Sequence, residues 1–310
     1  MRQYSIIVPA MSNLVEFEKT LASVLRYSPT GSEVVVPCAH DFRDVHGLDG
    51  EVKLVRADAK SKPELPQLFR LALEHAGKEL VGLFLPGVEP AGEWHSLVST
   101  QFDDPEIAAI SPTLVPGSES TVRLPNRAGV NGIRMDRQFG RKIAKTSSRN
   151  KESVIDGPLV LAAVFRNELF GWLDMNLTGL SPESLEIELA AGIKNLDYRS
   201  INISDWLVPC DSAVLENWKK SHIDGADQER IIRRHASNGT GGMSLRILFD
   251  LLRGRAGSAF GRLLARRHGR KDEQFNQNLT QRKLNREKLG LAISNRQGES
   301  SPKKSARRAA

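Results

Sequence analysis

The sequence is poor in cysteine, with only Cys38 and Cys210 among its 310 residues. One pair of thiols excludes the disulfide-rich class of small secreted domains and suits a reducing cytoplasm. No CxxC or HxxxH spacing occurs, which argues against a zinc site built from cysteine and histidine alone. No run approaches the roughly 20 apolar residues that span a bilayer, so the sequence predicts no transmembrane helix.

Acidic residues are scarce after residue 240. Residues 241–310 hold 17 Lys and Arg against 5 Asp and Glu, a net +12 within a chain of net +7. Residues 1–240 therefore carry −5. The split predicts one folded domain over 1–240, a basic helical extension over 241–297 and a disordered basic tail over 298–310.

The first half of the chain alternates strand-like and helix-like segments. Short β-branched or apolar runs predict strands, and apolar residues at helical spacing predict helices between them. The order is βαββαβαβ, which predicts an α/β fold with an open, helix-covered sheet. The predicted strands are residues 4–8, 33–36, 52–55, 80–85 and 107–110, and the predicted helices are residues 14–25, 65–75 and 93–102.

The second half is less periodic. Residues 116–153 predict a long excursion with short strands, and residues 154–165 predict a buried segment. A short helix is expected over 182–192, with Glu183 and Glu186 near its positive end and Gly192 closing it. Gly77 is expected to cap the helix that precedes it.

Prolines follow three of the predicted strands, at Pro9, Pro37 and Pro86. One interpretation is that each proline only stops its strand. Ligands of open α/β sheets bind outside the carboxyl ends of the strands, so the alternative is a shared cleft formed by these loops.

Seven segments between residues 4 and 234 follow one another in an order typical of one family. Together they resemble the family 2 glycosyltransferases of the GT-A fold, and in particular the rhamnosyltransferase-like branch. The resemblance implies a GT-A-like open mixed sheet with a Rossmann-like first half. The segments are SIIVPAMSNLVEFEKTLASVL (5–25), EVVV (33–36), HAGKELVGLFLPGVEPAGEW (75–94), FDDPEIAAISP (102–112), NRAGV (126–130), FRNELFGWLD (165–174) and PESLEIELAAG (182–192).

The resemblance implies a nucleotide-sugar donor, and the loops after the first two strands are expected to hold its nucleoside. Where the family has an aspartate for the nucleoside, this chain has Cys38, followed by His40 and Asp41. Asp44 lies a few residues further on. These four residues, together with Pro9 and Gly87, are the candidates for binding the nucleotide sugar.

The resemblance also implies a divalent metal, Mg²⁺ or Mn²⁺, on the diphosphate of the donor. The metal-binding aspartate of the family falls on Gly87, which has no ligand atom in a side chain. Glu89 is the remaining candidate ligand, because hard cations require oxygen. The general-base position of the family falls on Glu183, and Glu186 matches a later acid of the same segment.

Three functions stay open from the sequence. The first is transfer of a sugar from a nucleotide sugar to a glycan, lipid-linked or cell-surface polysaccharide acceptor. The second is a catalytically inactive relative that binds a glycan, a partner enzyme or a membrane. The third is nucleic-acid binding through the basic tail, which no recognised motif supports.

Residues 245–270 interleave leucine and arginine, which predicts either peripheral contact with the anionic inner face of a membrane or packing on the main domain.

Overall fold

The computed structural model describes residues 2–235 except residues 12, 59–62, 118–128, 137–140, 146–151, 174–179, 222 and 224. The predicted extension 241–297, the tail 298–310 and the basic segment 245–270 lie outside the described residues. None of the described helices is long and apolar enough to cross a membrane.

A ten-stranded mixed sheet forms the centre of the molecule, in the order β3-β2-β1-β4-β9-β5-β10-β8, and β6 and β7 extend from β5. Strands β3, β2, β1 and β4 are parallel to one another, whereas β9 is antiparallel to both β4 and β5. The strands are β1 (Tyr4–Ile7), β2 (Glu33–Cys38), β3 (Lys53–Arg56), β4 (Leu80–Phe84), β5 (Ile107–Pro116), β6 (Val130–Met135), β7 (Arg141–Lys145), β8 (Glu152–Ile155), β9 (Ala162–Arg166) and β10 (Arg199–Cys210).

Helices cover the sheet and connect its parallel strands. They are α1 (Leu14–Tyr27), α2 (Leu65–Leu73), α3 (Trp94–Gln101), α4 (Glu168–Trp172), α5 (Pro182–Asn195), α6 (Ser212–Lys220) and α7 (Gly225–His235). The predicted α/β class with an open mixed sheet is confirmed. Strands β1 and β4 are buried along their whole length, as expected for central strands that are covered on both faces.

The register places the ends of β1, β2 and β4 at one edge of the sheet. Ile7 pairs with Val35 of β2 and with Leu83 of β4. Because these strands are parallel, the loops after them emerge side by side. This edge is where the sequence analysis expects the cleft.

Three glycine and proline predictions were wrong. Pro37 lies inside β2, where its carbonyl accepts a hydrogen bond from Ala10 N at 2.9 Å. Helix α2 ends at Leu73, and the backbone N–H of Gly77 instead donates to the Glu33 carboxylate at 2.7 Å. Helix α5 continues past Gly192, where an added Cβ would lie 2.3 Å from Leu173 Cδ2. Gly192 therefore allows close packing and does not end the helix.

Candidate functional site

The loop after β1 is joined to the end of β2. Ala10 forms a parallel bridge with Cys38, and Val8 N donates to Val35 O at 3.0 Å. Pro9 and Cys38 are both buried, so they form the floor of this edge of the sheet. The Cys38 thiol lies 3.6 Å from the carbonyl oxygen of Val55 on β3. Side-chain contact between Cys38 and a nucleotide would require this floor to open.

Both cysteines are expected to be unreactive in the folded protein. Burial raises the pKa of the Cys38 thiol, and burial together with the nearby Asp211 carboxylate raises that of Cys210 to about 12. Since the thiolate is the reactive form, a disulfide reagent at mildly alkaline pH should modify neither thiol until guanidinium unfolds the chain. Rapid reaction of either thiol in the native protein would contradict this burial.

The loop after β2 is folded onto α1. The ring of Phe42 in this loop packs edge-on against Phe17 of α1, with centroids 6.0 Å apart. The Phe42 carbonyl accepts a hydrogen bond from the Arg56 side chain at 2.6 Å. His40 and Asp41 are exposed on this loop. They are the two candidate nucleotide contacts that the structure leaves accessible to a ligand.

Asp44 closes the same loop. Its carboxylate accepts backbone hydrogen bonds from Leu48 N at 2.9 Å and Asp49 N at 3.2 Å. These bonds hold the pKa of Asp44 below its usual value, because they favour the charged form. These hydrogen bonds give Asp44 a structural role in the loop. Its contact with a nucleotide stays a prediction.

Gly87, at the predicted metal position, has a backbone conformation that side chains rarely adopt, with φ +94°. A Cβ at this position would lie 2.9 Å from Val214 Cγ2 and 3.5 Å from Asp211 Cβ. The start of α6 therefore fills the space that a side chain at this position would occupy. The structure explains why glycine stands here.

The loop that contains Gly87 is held on two sides. The Gly87 N–H donates to the buried Thr20 hydroxyl of α1 at 3.0 Å, and the Gly87 carbonyl accepts from Asp211 N at 2.7 Å. Glu89 N donates to Pro209 O at 3.0 Å, and Val88 forms a bridge with Cys210. The β4 loop, residues 85–90, is thus an integral part of the packing between α1 and β10.

The residues at this edge do not fit a divalent metal. No group of three or more His, Cys, Asp or Glu side chains among the described residues could hold one. Glu89 is half-buried. The hydrogen bond from Lys19 to Glu16 and the charge of Glu16 raise the pKa of Lys19, and the charge of Glu89 adds to this rise. A lysine ammonium beside these acids competes with a cation for them.

Ser181 caps the start of helix α5, because its hydroxyl accepts a hydrogen bond from Ser184 N at 3.3 Å. Glu183 lies in the first turn and is half-buried, and its carboxylate has no hydrogen-bond partner among the described residues. The positive end of the helix favours the ionised carboxylate. Glu183 is therefore a partly exposed acid at the N-terminal end of α5.

Glu186 lies one turn further along α5 and is entirely buried. Its carboxylate accepts from Arg141 Nε at 2.6 Å, Trp218 Nε1 at 2.9 Å and Val160 N at 3.0 Å. Burial raises the pKa of Glu186, and the Arg141 guanidinium opposes that rise. These contacts join β7, α6 and the segment before β9, which is a structural role. The structure does not bring Glu183 and Glu186 to one open site.

Helix α6 links the two halves of the candidate site. Val214 packs over Gly87, and Trp218 binds Glu186. Sequence reasoning missed α6, although Asp211 caps it by accepting from Ala213 N and Val214 N, both at 2.9 Å. The aspartate that opens DSAVLENW (211–218) is a readable helix start, but nothing in the sequence places that helix over Gly87.

No family model and no curated protein matches the chain. Among solved structures, it is similar to GalNAc-T7 with UDP, GalNAc and Mn²⁺, with a TM-score of 0.54, 15% identity, and coverage of 76% of this chain and 48% of that one. This chain thus spans about half the length of that protein. The similarity, with the sheet order, shows the GT-A fold.

Two further solved structures are similar at lower scores. The mannosyltransferase PcManGT from Pyrobaculum calidifontis, in complex with GDP-Man and Mn²⁺, has a TM-score of 0.47 and 15% identity, and 94% of this chain and 80% of that one are covered. S. aureus TarS 1-349, in complex with UDP-GlcNAc, has a TM-score of 0.48 and 16% identity, with coverage of 74% and 64%. Membership of family 2 and of its rhamnosyltransferase-like branch stays a prediction.

Proposed function

We propose that this GT-A-fold protein is a glycosyltransferase that takes a sugar from a nucleotide sugar and passes it to a hydroxyl of a glycan, lipid-linked or cell-surface polysaccharide acceptor. The observation that carries the proposal is the parallel β3-β2-β1-β4 edge, with its loops side by side, in a sheet similar to that of GalNAc-T7 solved with UDP, GalNAc and Mn²⁺. The acceptor class rests on the sequence resemblance alone.

The donor would lie over the ends of β1 and β2. His40 and Asp41 are exposed there, beyond the buried Cys38, and can offer a ring nitrogen and a carboxylate to a nucleoside. A divalent metal in the fold's relatives would neutralise the diphosphate. Because Val214 fills the position next to Gly87, no step of the proposed transfer is assigned to a metal.

Glu183 is the proposed general base. A general base needs an ionised carboxylate that an acceptor hydroxyl can reach, and Glu183 is half-buried at the positive end of α5. Glu186 does not fit this role, since Arg141, Trp218 and Val160 occupy its carboxylate. Its proposed role is to hold α5 and α6 in place.

One observation favours a second candidate, a catalytically inactive relative that binds a glycan or a partner. The closed packing of Val214 on Gly87 removes the position from which the fold's relatives are expected to bind the metal. The two candidates differ in whether a nucleotide sugar is bound and consumed.

Calorimetric titration with UDP- and GDP-sugars, in EDTA and in excess Mn²⁺, tests the donor. We expect one nucleotide class to bind, with affinities in the two buffers that agree within about threefold, or 0.7 kcal/mol. Binding that appears only with Mn²⁺ would overturn the metal-free site. No binding of any nucleotide sugar in either buffer would overturn the donor proposal and favour the inactive relative.

A further inference from the structure

A groove of about 510 Å³ lies beside the β4 loop, between the start of α3 and the end of β10. Two tryptophans, two exposed leucines and two carboxylates characterise its lining. They are Trp94, Trp206, Leu97, Leu207, Glu93 and Asp205. None of the features assigned to the candidate donor site uses these residues.

An irregularity in β10 creates this groove. Ile203 pairs with Pro112 of β5 and Leu207 pairs with the next residue, Thr113, so residues 204–206 have no partner on β5. The extra residues turn Trp206 inward, where its ring stacks on Trp94 at 5.7 Å with an interplanar angle of 14°. Asp205 and Leu207 stay exposed on either side. Such bulges redirect side chains and are frequent beside functional sites.

The polar groups of the groove are complementary to hydroxyl groups. Glu93 and Asp205 are exposed carboxylates, and the described lining contains no lysine or arginine to neutralise them. Carboxylates accept hydrogen bonds from hydroxyls and repel anions. A uronic acid, sulfate or phosphate group would therefore be disfavoured here.

The two indole rings form the buried wall of the groove. Trp94 and Trp206 are 2% and 1% exposed, and the Nε1 atom of each is buried without a hydrogen-bond partner among the described residues. The groups that a ligand in the groove can reach are the exposed carboxylates and leucines. A saccharide can donate its hydroxyls to Glu93 and Asp205 and place its C–H faces against Leu97 and Leu207.

The groove adjoins the β4 loop of the candidate site. Its Pro209 carbonyl accepts the hydrogen bond from Glu89 N of that loop, and Ala91 of its lining follows the loop directly in sequence. We propose that the groove is the acceptor subsite and that it takes an uncharged saccharide. The saccharide binding rests on the groove alone, and the acceptor role rests on the proposed glycosyl transfer.

Indole resonances of the ¹⁵N-labelled full chain test this proposal. The probes are cellotriose, chitotriose and mannotriose, with trigalacturonate as the anionic counterpart. At least one neutral trisaccharide should shift the Nε1–H signals of Trp94 and Trp206, assigned with W94F and W206F. The Trp218 signal should stay in place, because its Nε1–H is bound to Glu186. Trigalacturonate should shift none of them.

Substitutions then locate the ligand. Asp205→Ala and Glu93→Ala should each weaken binding by about tenfold, the loss of one hydrogen bond to a charged group. The matched control is Glu51→Ala, which removes an exposed acid from the turn before β3.

Each other outcome overturns a distinct statement. If no neutral trisaccharide shifts Trp94 and Trp206 while a nucleotide sugar still binds, the groove proposal fails and the donor proposal stands. If a trisaccharide binds but no nucleotide sugar does, the groove stands and glycosyl transfer fails. If a peptide of residues 245–270 shifts the two signals and no saccharide does, the groove belongs to the chain's own basic segment.

Discussion

Replacing Gly87 by alanine is expected to lower the free energy of unfolding by about 2–4 kcal/mol. Two costs combine at this position. The backbone φ of +94° is strained for any side chain, and the new Cβ would lie 2.9 Å from Val214 Cγ2. The β4 loop cannot move aside freely, because Thr20 and Asp211 hold the Gly87 backbone. Urea unfolding of the two proteins measures the difference.

Gly92→Ala is the matched control for this change. Gly92 also has a positive φ, +67°, but nothing lies within 4 Å of the position of an added Cβ. Gly92→Ala should therefore lower the free energy of unfolding only through backbone strain, by about 1–2 kcal/mol. The excess loss at Gly87 measures the contact with Val214. Equal losses at the two glycines would mean that α6 does not fill the space beside Gly87.

The same contact predicts coupling between Gly87 and Val214. Truncating Val214 to alanine removes Cγ2, the atom nearest the added Cβ, and leaves Val214 Cβ at 3.3 Å. In the double variant, the loss due to Gly87→Ala should shrink toward the loss at Gly92, which a double-mutant cycle reports directly. Additive losses would place the strain elsewhere in the loop.

The central strands of the sheet were predictable because their burial is reflected in the local sequence. Segments such as YSII and LVGLF are buried on both faces, so they appear as short, mostly apolar runs that are typical of covered strands. The bulge at residues 204–206, which interrupts the pairing of β10 with β5, was not predicted. An interruption of that kind depends on the partner strand and leaves no local pattern.

The candidate site was less predictable, because it depends on contacts between distant parts of the chain. The sequence resemblance predicts only that Gly87 stands where related enzymes have an aspartate, whereas Val214, which fills the space, comes from α6. Glu186 matches a helix acid of the family, and its burial follows from Arg141 on β7 and Trp218 on α6. A local motif can suggest an acid, and only the fold decides whether that acid is charged and accessible.

Glu183 and Glu186 provide the sharpest test of that distinction, because both belong to the first half of α5. Glu186→Gln is expected to cost about 3–5 kcal/mol of stability, since the amide cannot accept from all three donors and leaves the Arg141 charge without its counter-ion. Glu183→Gln should change stability by no more than about 0.5 kcal/mol, because its carboxylate has no partner among the described residues.

The two variants should rank in the opposite order when their loss of activity is measured. If Glu183 is the base of the proposed transfer, Glu183→Gln lowers kcat about 10²–10⁴-fold and leaves the affinity for the nucleotide sugar unchanged. Glu186→Gln, assayed well below its unfolding midpoint, should retain a pH profile like that of the unchanged protein, since it supports the site without exchanging protons with the acceptor. A kcat unaffected by Glu183→Gln would remove this residue from the chemistry. A loss of kcat in Glu186→Gln without loss of stability would mean that the buried ion pair opens during turnover, because only an exposed carboxylate can take the proton of an acceptor.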